Sequence, residues 1–182
     1  MPKETVPVEK AYRLITNGPV TLITAAYKDR IGIMPASWVI PVSLIPPLVA
    51  VAINPKAFTH ELIDKSNEFT INVPTGDLAR AVKQAGSISS RDVDKFKVLG
   101  LHAMAALKIK APLVEECIGH IECGVIERLM PGDHTIFIAE VQAAQVESGT
   151  WEGVWLVEKE EARVLHHLGG STYCTPKGRF DV

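Results

Sequence analysis

Hydrophobic and polar positions change period several times along this chain, and the changes mark out its elements. Val8 to Thr16 predicts a short helix, closed by Asn17-Gly18-Pro19. Val20 to Tyr27 is rich in β-formers and predicts a strand. Lys28-Asp29-Arg30-Ile31-Gly32 turns it into a second strand, which carries Ser37 and Trp38. A proline break at Pro46-Pro47 precedes a fully apolar strand, Leu48 to Ile53. The polar corner Asn54-Pro55-Lys56-Ala57-Phe58-Thr59 then opens a helix that ends near Asn67, and Phe69 to Val73 is another strand. Thr75-Gly76-Asp77 starts a helix to about Ala85, with Leu78, Val82 and Ala85 on one face. After a polar connection, GSISSRDVDKF (86–96), two long strands near 113–130 and 134–147 meet at the turn Met130-Pro131-Gly132-Asp133. Many short strands, few helices and no repeat predict a mainly β fold, a Greek-key barrel rather than a βαβ array. Residues 1–182 fit one domain of this kind.

The stretch 34–60, MPASWVIPVSLIPPLVAVAINPKAFTH, carries the most chemistry. A buried strand that delivers backbone amides, a hydroxyl and a lysine to a helix start makes an anion cradle. The hydroxyl and aromatic ring of Ser37 and Trp38 suit the edge of a flat heterocycle. Together they point to a phosphorylated, planar cofactor. G-x-S-x-G, P-loop and G-x-G-x-x-G motifs are absent from the sequence, so hydrolase, NTPase and Rossmann dehydrogenase readings lose their usual support.

Charge and cysteine content narrow the setting. The formal net charge is −2, with 22% charged and 47% hydrophobic residues. That is ordinary for a globular chain and shows no basic excess for holding nucleic acid. The start, MPKETVPVEK, has no apolar signal core. The longest apolar stretch, around 44–53, falls short of the roughly 20 residues a membrane span needs and carries two prolines. Three cysteines favour a reducing compartment, hence the cytoplasm and no membrane partner. Two metal decoys are present. If 113–130 is one strand, Cys117 and Cys123 of ECIGHIEC lie on one face, His120 on the other, and the sulfurs sit roughly 20 Å apart. Buried thiols are the plainer reading. HELID (60–64) begins like H-E-x-x-H but ends in Asp64 and shows no third ligand.

The order and spacing of several pieces resemble the flavin reductase-like proteins with an FMN-binding split barrel, and within them the flavoredoxin type. These are ASW (36–38), PVSLIPP (41–47), FTH (58–60), EFTINVP (68–74), DKF (94–96), GDH (132–134) and the strand TIFIAEV (135–141). The resemblance covers most of the chain and implies FMN as cofactor. The isoalloxazine would then accept hydride and pass on electrons, which explains the shortage of acid–base machinery. It places the backbone of Ala36, Ser37 and Trp38 at the flavin ring. Ile53, Asn54, Thr59 and His60 fall toward the ribityl-phosphate, and Thr59 doubles as a helix N-cap. Lys95 becomes a phosphate contact, with Phe96 beside it and Ser89 and Ser90 in a loop over the ring. His134 would face the flavin or the nicotinamide stacked on it, making it the one residue assigned to catalysis. His167 would reach the ring, and its neighbour His166 would then point away. The chain departs from the pattern at Ile31-Gly32-Ile33, where many relatives carry an asparagine. NAD(P)H as donor and a homodimer are implied too. A flavoredoxin-type carrier, reduced by a protein partner, is the alternative, and a flavin binder without redox partner is a third.

Overall fold

Thr21 to Ala25 are five consecutive buried residues, and the computed structural model, which describes residues 4–180, shows why. Ile23 and Ala25 face one hydrophobic core, whereas Leu22, together with Val20 just before it, faces a second. A strand sandwiched between two cores has no solvent face, so its polar alternation disappears. Residues 1–3, the first part of the segment inspected for a leader, lie outside the described residues.

In chain order, Val8–Leu14 forms a 3₁₀ helix with no buried side chain. It is followed by β1 (Gly18–Pro19), β2 (Thr21–Tyr27), β3 (Arg30–Ala36), β4 (Val39–Leu44) and β5 (Pro47–Ile53). Then come α1 (Phe58–Ser66), β6 (Glu68–Val73), α2 (Ala79–Ala85), α3 (Lys95–Leu99), β7 (Ala103–Met104) and β8 (Leu113–Val114). The chain ends in β9 (Gly119–Leu129), β10 (Thr135–Val146), β11 (His166–Gly169) and β12 (Thr172–Cys174). Seven strands make one antiparallel sheet in the order β3-β2-β6-β9-β10-β5-β4. β5 and β6 flank the β9–β10 hairpin, which is the Greek-key arrangement. All seven strands converge on a core built around Ile23, Val51, Ile53, Phe69, Ile71 and Phe137, so the sheet curls into a barrel. Its edge strands, β3 and β4, are consecutive in the chain yet no ladder joins them among the described residues. The barrel is split there, and Ser37-Trp38 bridges the gap.

α1 packs Phe58, Leu62 and Ile63 into the barrel core and stops at Asn67, which adopts φ 60° and returns its N–H to the Ile63 carbonyl. Asparagine tolerates this left-handed capping geometry. Gly32 on β3 is required for that packing. A Cβ there would lie 2.9 Å from both Leu62 Cδ1 and Thr59 Oγ1. The second core joins β2 and β3 to α2, α3 and β8 through Leu22, Ile33, Val82, Phe96 and Val114.

Three expectations change. The helix expected from Thr75 is a 3₁₀ turn, Gly76–Leu78, leading into α2. The polar connection after α2 ends in α3, which Asp94 caps by accepting the Lys97 N–H at 3.2 Å. The strand expected over 113–130 is two strands with a turn between them. Val114 donates its N–H to the Asn72 side chain at 2.9 Å, and Cys117 donates back to the Val114 carbonyl at 3.0 Å. Cys117 therefore packs in the second core and Cys123 in the barrel core. Both are buried thiols, and desolvation raises both, Cys123 to about 12.

Candidate functional site

The split between β3 and β4 opens into an elongated cleft whose two ends differ in chemistry. At the first end, a cavity of about 270 Å³ is lined by Tyr12, Met34, Ser37, Trp38, Asn54, His134 and His167, among others. The chain bends at Ser37 as it leaves β3, and the Trp38 carbonyl is tied to the Ala52 N–H at 3.0 Å, which holds the indole over the opening. Tyr12 meets that indole edge-on at 5.7 Å, and the His134 ring lies 4.8 Å from it at 44°. Trp38 is still 39% exposed, so the ring is available to a ligand rather than sealed in the core. His134 Nδ1 donates to Asp133 Oδ1 at 2.7 Å. That bond holds the Asp133 carboxyl below its ordinary range and presents Nε2 outward. Ser37 Oγ sits 3.5 Å from His167 Nδ1, and His167 Nε2 is 3.2 Å from the Gly170 carbonyl. A carbonyl only accepts, so Nε2 carries the proton and Nδ1 takes the serine hydroxyl.

The second end is a cavity of about 360 Å³ lined by Lys56, Phe58, Thr59, Ser89, Ser90 and Lys95, among others; Met34 and Pro35 border both ends and join them. Lys95 is only 5% exposed. Its ammonium donates to the Ile33 carbonyl at 2.9 Å and the Ala85 carbonyl at 2.5 Å, leaving one N–H for the cavity. Burial lowers its pKa to about 8. Ser90 Oγ accepts the Ile33 N–H at 3.3 Å, so the 86–90 loop is fastened to β3. The N-cap of α1 is Ala57, which offers no side-chain acceptor. Thr59 therefore does not cap the helix, contrary to expectation. It sits one turn in, buried, and the first-turn amides are left without a capping group at the edge of the cavity.

Of the residues expected at the cofactor, the cleft collects Ala36, Ser37, Trp38, Asn54, His134 and His167 at the first end and Thr59, Ser90 and Lys95 at the second. Asn54 thus stands at the ring-sized end, with its Oδ1 accepting the Lys56 N–H at 3.0 Å. Three expected residues do not reach the cleft. Ile53 is fully buried in the barrel core. His60 turns to β10, where Nε2 meets Thr135 Oγ1 at 2.8 Å and the ring abuts Phe137. Phe96 belongs to the second core. Lys56, the lysine of the expected anion cradle, lines the second end, and the cleft residues not singled out from the sequence include Tyr12 and Arg13 of the first 3₁₀ helix, Met34 and Pro35. An aromatic and a basic residue side by side in a short helix were the available signal. Of the HELID decoy, Asp64 pairs with Arg128 at 3.1 Å and His60 with Thr135.

A split antiparallel barrel with a two-ended cleft along its seam is a fold class of its own, and the comparisons agree with it. The chain belongs to the flavin reductase like domain family, whose model matches residues 13–165. YddH of Escherichia coli (strain K12) is 34% identical over 181 residues, covering 93% of this chain and 94% of that protein. The FMN-binding domain of a flavin reductases-like enzyme from Shewanella baltica OS155 superposes with a TM-score of 0.84 at 26% identity, over 98% of this chain and 96% of that one. Flavoredoxin of Desulfovibrio vulgaris (Miyazaki F) gives 0.85 at 26% identity, over 100% and 96%.

Proposed function

We propose that this chain binds FMN along the cleft and acts as an NAD(P)H-dependent flavin reductase-like oxidoreductase, delivering electrons to a flavin or another acceptor. The observation that carries the reading is the pairing of the two ends: an exposed indole against a half-buried imidazole, joined by Met34-Pro35 to a buried lysine and an uncapped helix start. FMN has the matching polarity, a flat ring at one end and a phosphate at the other. Lys95, Thr59 and the first-turn amides of α1 would hold the phosphate. Trp38 and the backbone at Ala36-Ser37 would border the ring. When bound, the flavin supplies hydride acceptance and onward electron transfer. The protein's own part is to fix the ring edge, exclude water beneath it and present His134 to the open face. With no dinucleotide-binding fold among the described residues, the nicotinamide would lie across that face and against His134.

Support for a homodimer comes from the β4–β5 hairpin beside the cleft, where Ile40, Leu44 and Ile45 are 58%, 87% and 94% exposed. Apolar tips of that extent suit burial against a second copy. Among the described residues no helix is long and apolar enough to cross a membrane, and the free cysteines suit the cytoplasm. A second reading, a flavoredoxin-type carrier reduced by a protein partner, is favoured by the full-length likeness to a flavoredoxin. The test is an FMN titration of the purified protein followed by anaerobic NADH or NADPH. Binding at micromolar FMN with rapid bleaching supports the reductase. Binding without bleaching shifts the reading to the carrier, and no binding defeats both.

A further inference from the structure

Phosphate binding does not exhaust the chemistry of Lys95. Its nitrogen sits between the Ile33 and Ala85 carbonyls, at 2.9 and 2.5 Å. An ammonium carries three N–H groups and a neutral amine two. Two carbonyls therefore satisfy the neutral amine completely, and its lone pair takes the remaining tetrahedral position, the one that faces the cavity. Among the described residues no carboxylate lines this end to hold the third proton on. Burial lowers the pKa to about 8, so at pH 7.5 about a quarter of Lys95 is neutral, against about one in a thousand for an ordinary lysine. A desolvated, partly neutral amine is the activated form of a lysine nucleophile. Around it stand Lys56, Thr59, Ser90 and the first-turn amides of α1, all of them donors to a phosphate beside that lone pair.

We propose that Lys95 is a covalent modification site: when the cleft holds no flavin, the lysine end takes a small acyl phosphate and the amine accepts its acyl group. The inference rests on the phosphate end of the flavin reading above. In an acyl phosphate the acyl carbon is bonded to a phosphate oxygen, so a phosphate in the cradle brings that carbon to the Lys95 nitrogen. The lone pair attacks the carbonyl carbon and a C–N bond forms. The C–O bond to phosphorus's oxygen breaks, and inorganic phosphate leaves with the bonding electron pair and the proton that the nitrogen sheds. The amide product keeps one N–H, enough for one of the two carbonyls, and carries no charge. Its acyl group fills part of the cavity. Acylation therefore removes both the cation and the room that a flavin phosphate needs, and the two occupants exclude each other.

The test incubates the full chain, freed of flavin, with acetyl phosphate at pH 7.5 and follows each lysine by peptide mass spectrometry. Lys95 is expected to gain its acetyl group about tenfold or more faster than Lys97, which is exposed on the same helix. Inorganic phosphate and FMN should each slow the reaction at Lys95 and leave Lys97 unchanged. A phosphate-free acetyl ester should show a smaller preference for Lys95, insensitive to inorganic phosphate. Protein acetylated at Lys95 should bind FMN about tenfold or more weakly, having lost a charge-assisted contact. Equal rates at Lys95 and Lys97, or a preference that inorganic phosphate does not reduce, overturns the proposal. Acetylated protein with unchanged FMN affinity overturns the mutual exclusion. Selective acetylation blocked by inorganic phosphate but not by FMN supports the modification site and counts against the flavin reading, so the two fail separately.

Discussion

Raising the pH from 7 to 9.5 is expected to weaken FMN binding while making the flavin-free protein more stable, and one side chain accounts for both. Lys95 is almost fully buried, with two carbonyls and no carboxylate as its partners, and its pKa falls from 10.5 to about 8. In the unfolded chain the amine keeps its proton up to the ordinary lysine range. Between pH 8 and 10.5 the unfolded state therefore binds more protons, and stability rises with pH across that window. The penalty of holding the ammonium in the fold is fully present below pH 8 and relieved above it. Its ceiling is roughly 3 kcal/mol, about 2.5 pKa units at 1.36 kcal/mol each. Binding works in the opposite sense. A phosphate beside Lys95 favours the charged form, so the contact, worth on the order of 1.5–3 kcal/mol or roughly 10- to 150-fold in affinity, is lost as pH rises through 8. The assay is FMN titration by fluorescence at pH 7, 8, 9 and 9.5, with urea unfolding of the flavin-free protein at the same values. Lys95→Met, which keeps the stem and removes the titration, should give flat profiles, and riboflavin, without phosphate, should lose none of the Lys95-dependent part. A wild-type profile matching that of Lys95→Met in both measurements would refute the assignment.

His134→Ala should slow flavin reduction by NAD(P)H in anaerobic stopped flow about tenfold or more while changing FMN affinity less than about 3-fold, since the ring faces the open side of Trp38. Unchanged reduction rates would remove it from the mechanism. Gly32→Ala should cost about 1–3 kcal/mol in urea unfolding and weaken FMN, because the new methyl meets Leu62 Cδ1 and Thr59 Oγ1 at 2.9 Å and must displace the start of α1. Light scattering should give about 40 kDa, twice the 19.8 kDa chain, and Leu44→Glu with Ile45→Glu should halve it. A wild-type monomer that still binds FMN would dispose of the shared interface.

Local chemistry in the chain accounts for much of this protein. Strand-rich segments separated by Gly, Pro and Asn turns specify the antiparallel pairs, and the turn at 130–133 joins β9 to β10 where it was expected. The apolar run 48–53 and the polar corner after it specify β5 and the start of α1. These are decided over short distances, where side-chain period and turn preference act directly. The tertiary structure alone decided what depends on distant partners. The strand expected over 113–130 breaks because Asn72, some 40 residues earlier, captures the Val114 N–H, which no local period reports. Thr59 looked like a cap and is not one, because the chain enters α1 at Ala57. Lys95 stands in a polar linker, and only the family resemblance of DKF singled it out. Only the closure of α2 and α3 over β3 buries it and lowers its pKa. The ring end of the cleft joins Tyr12, Trp38, His134 and His167 from four separate segments. Their chemistry was legible one residue at a time, but their meeting is a property of the split barrel, whose two unpaired edges bring the beginning, middle and end of the chain to one seam.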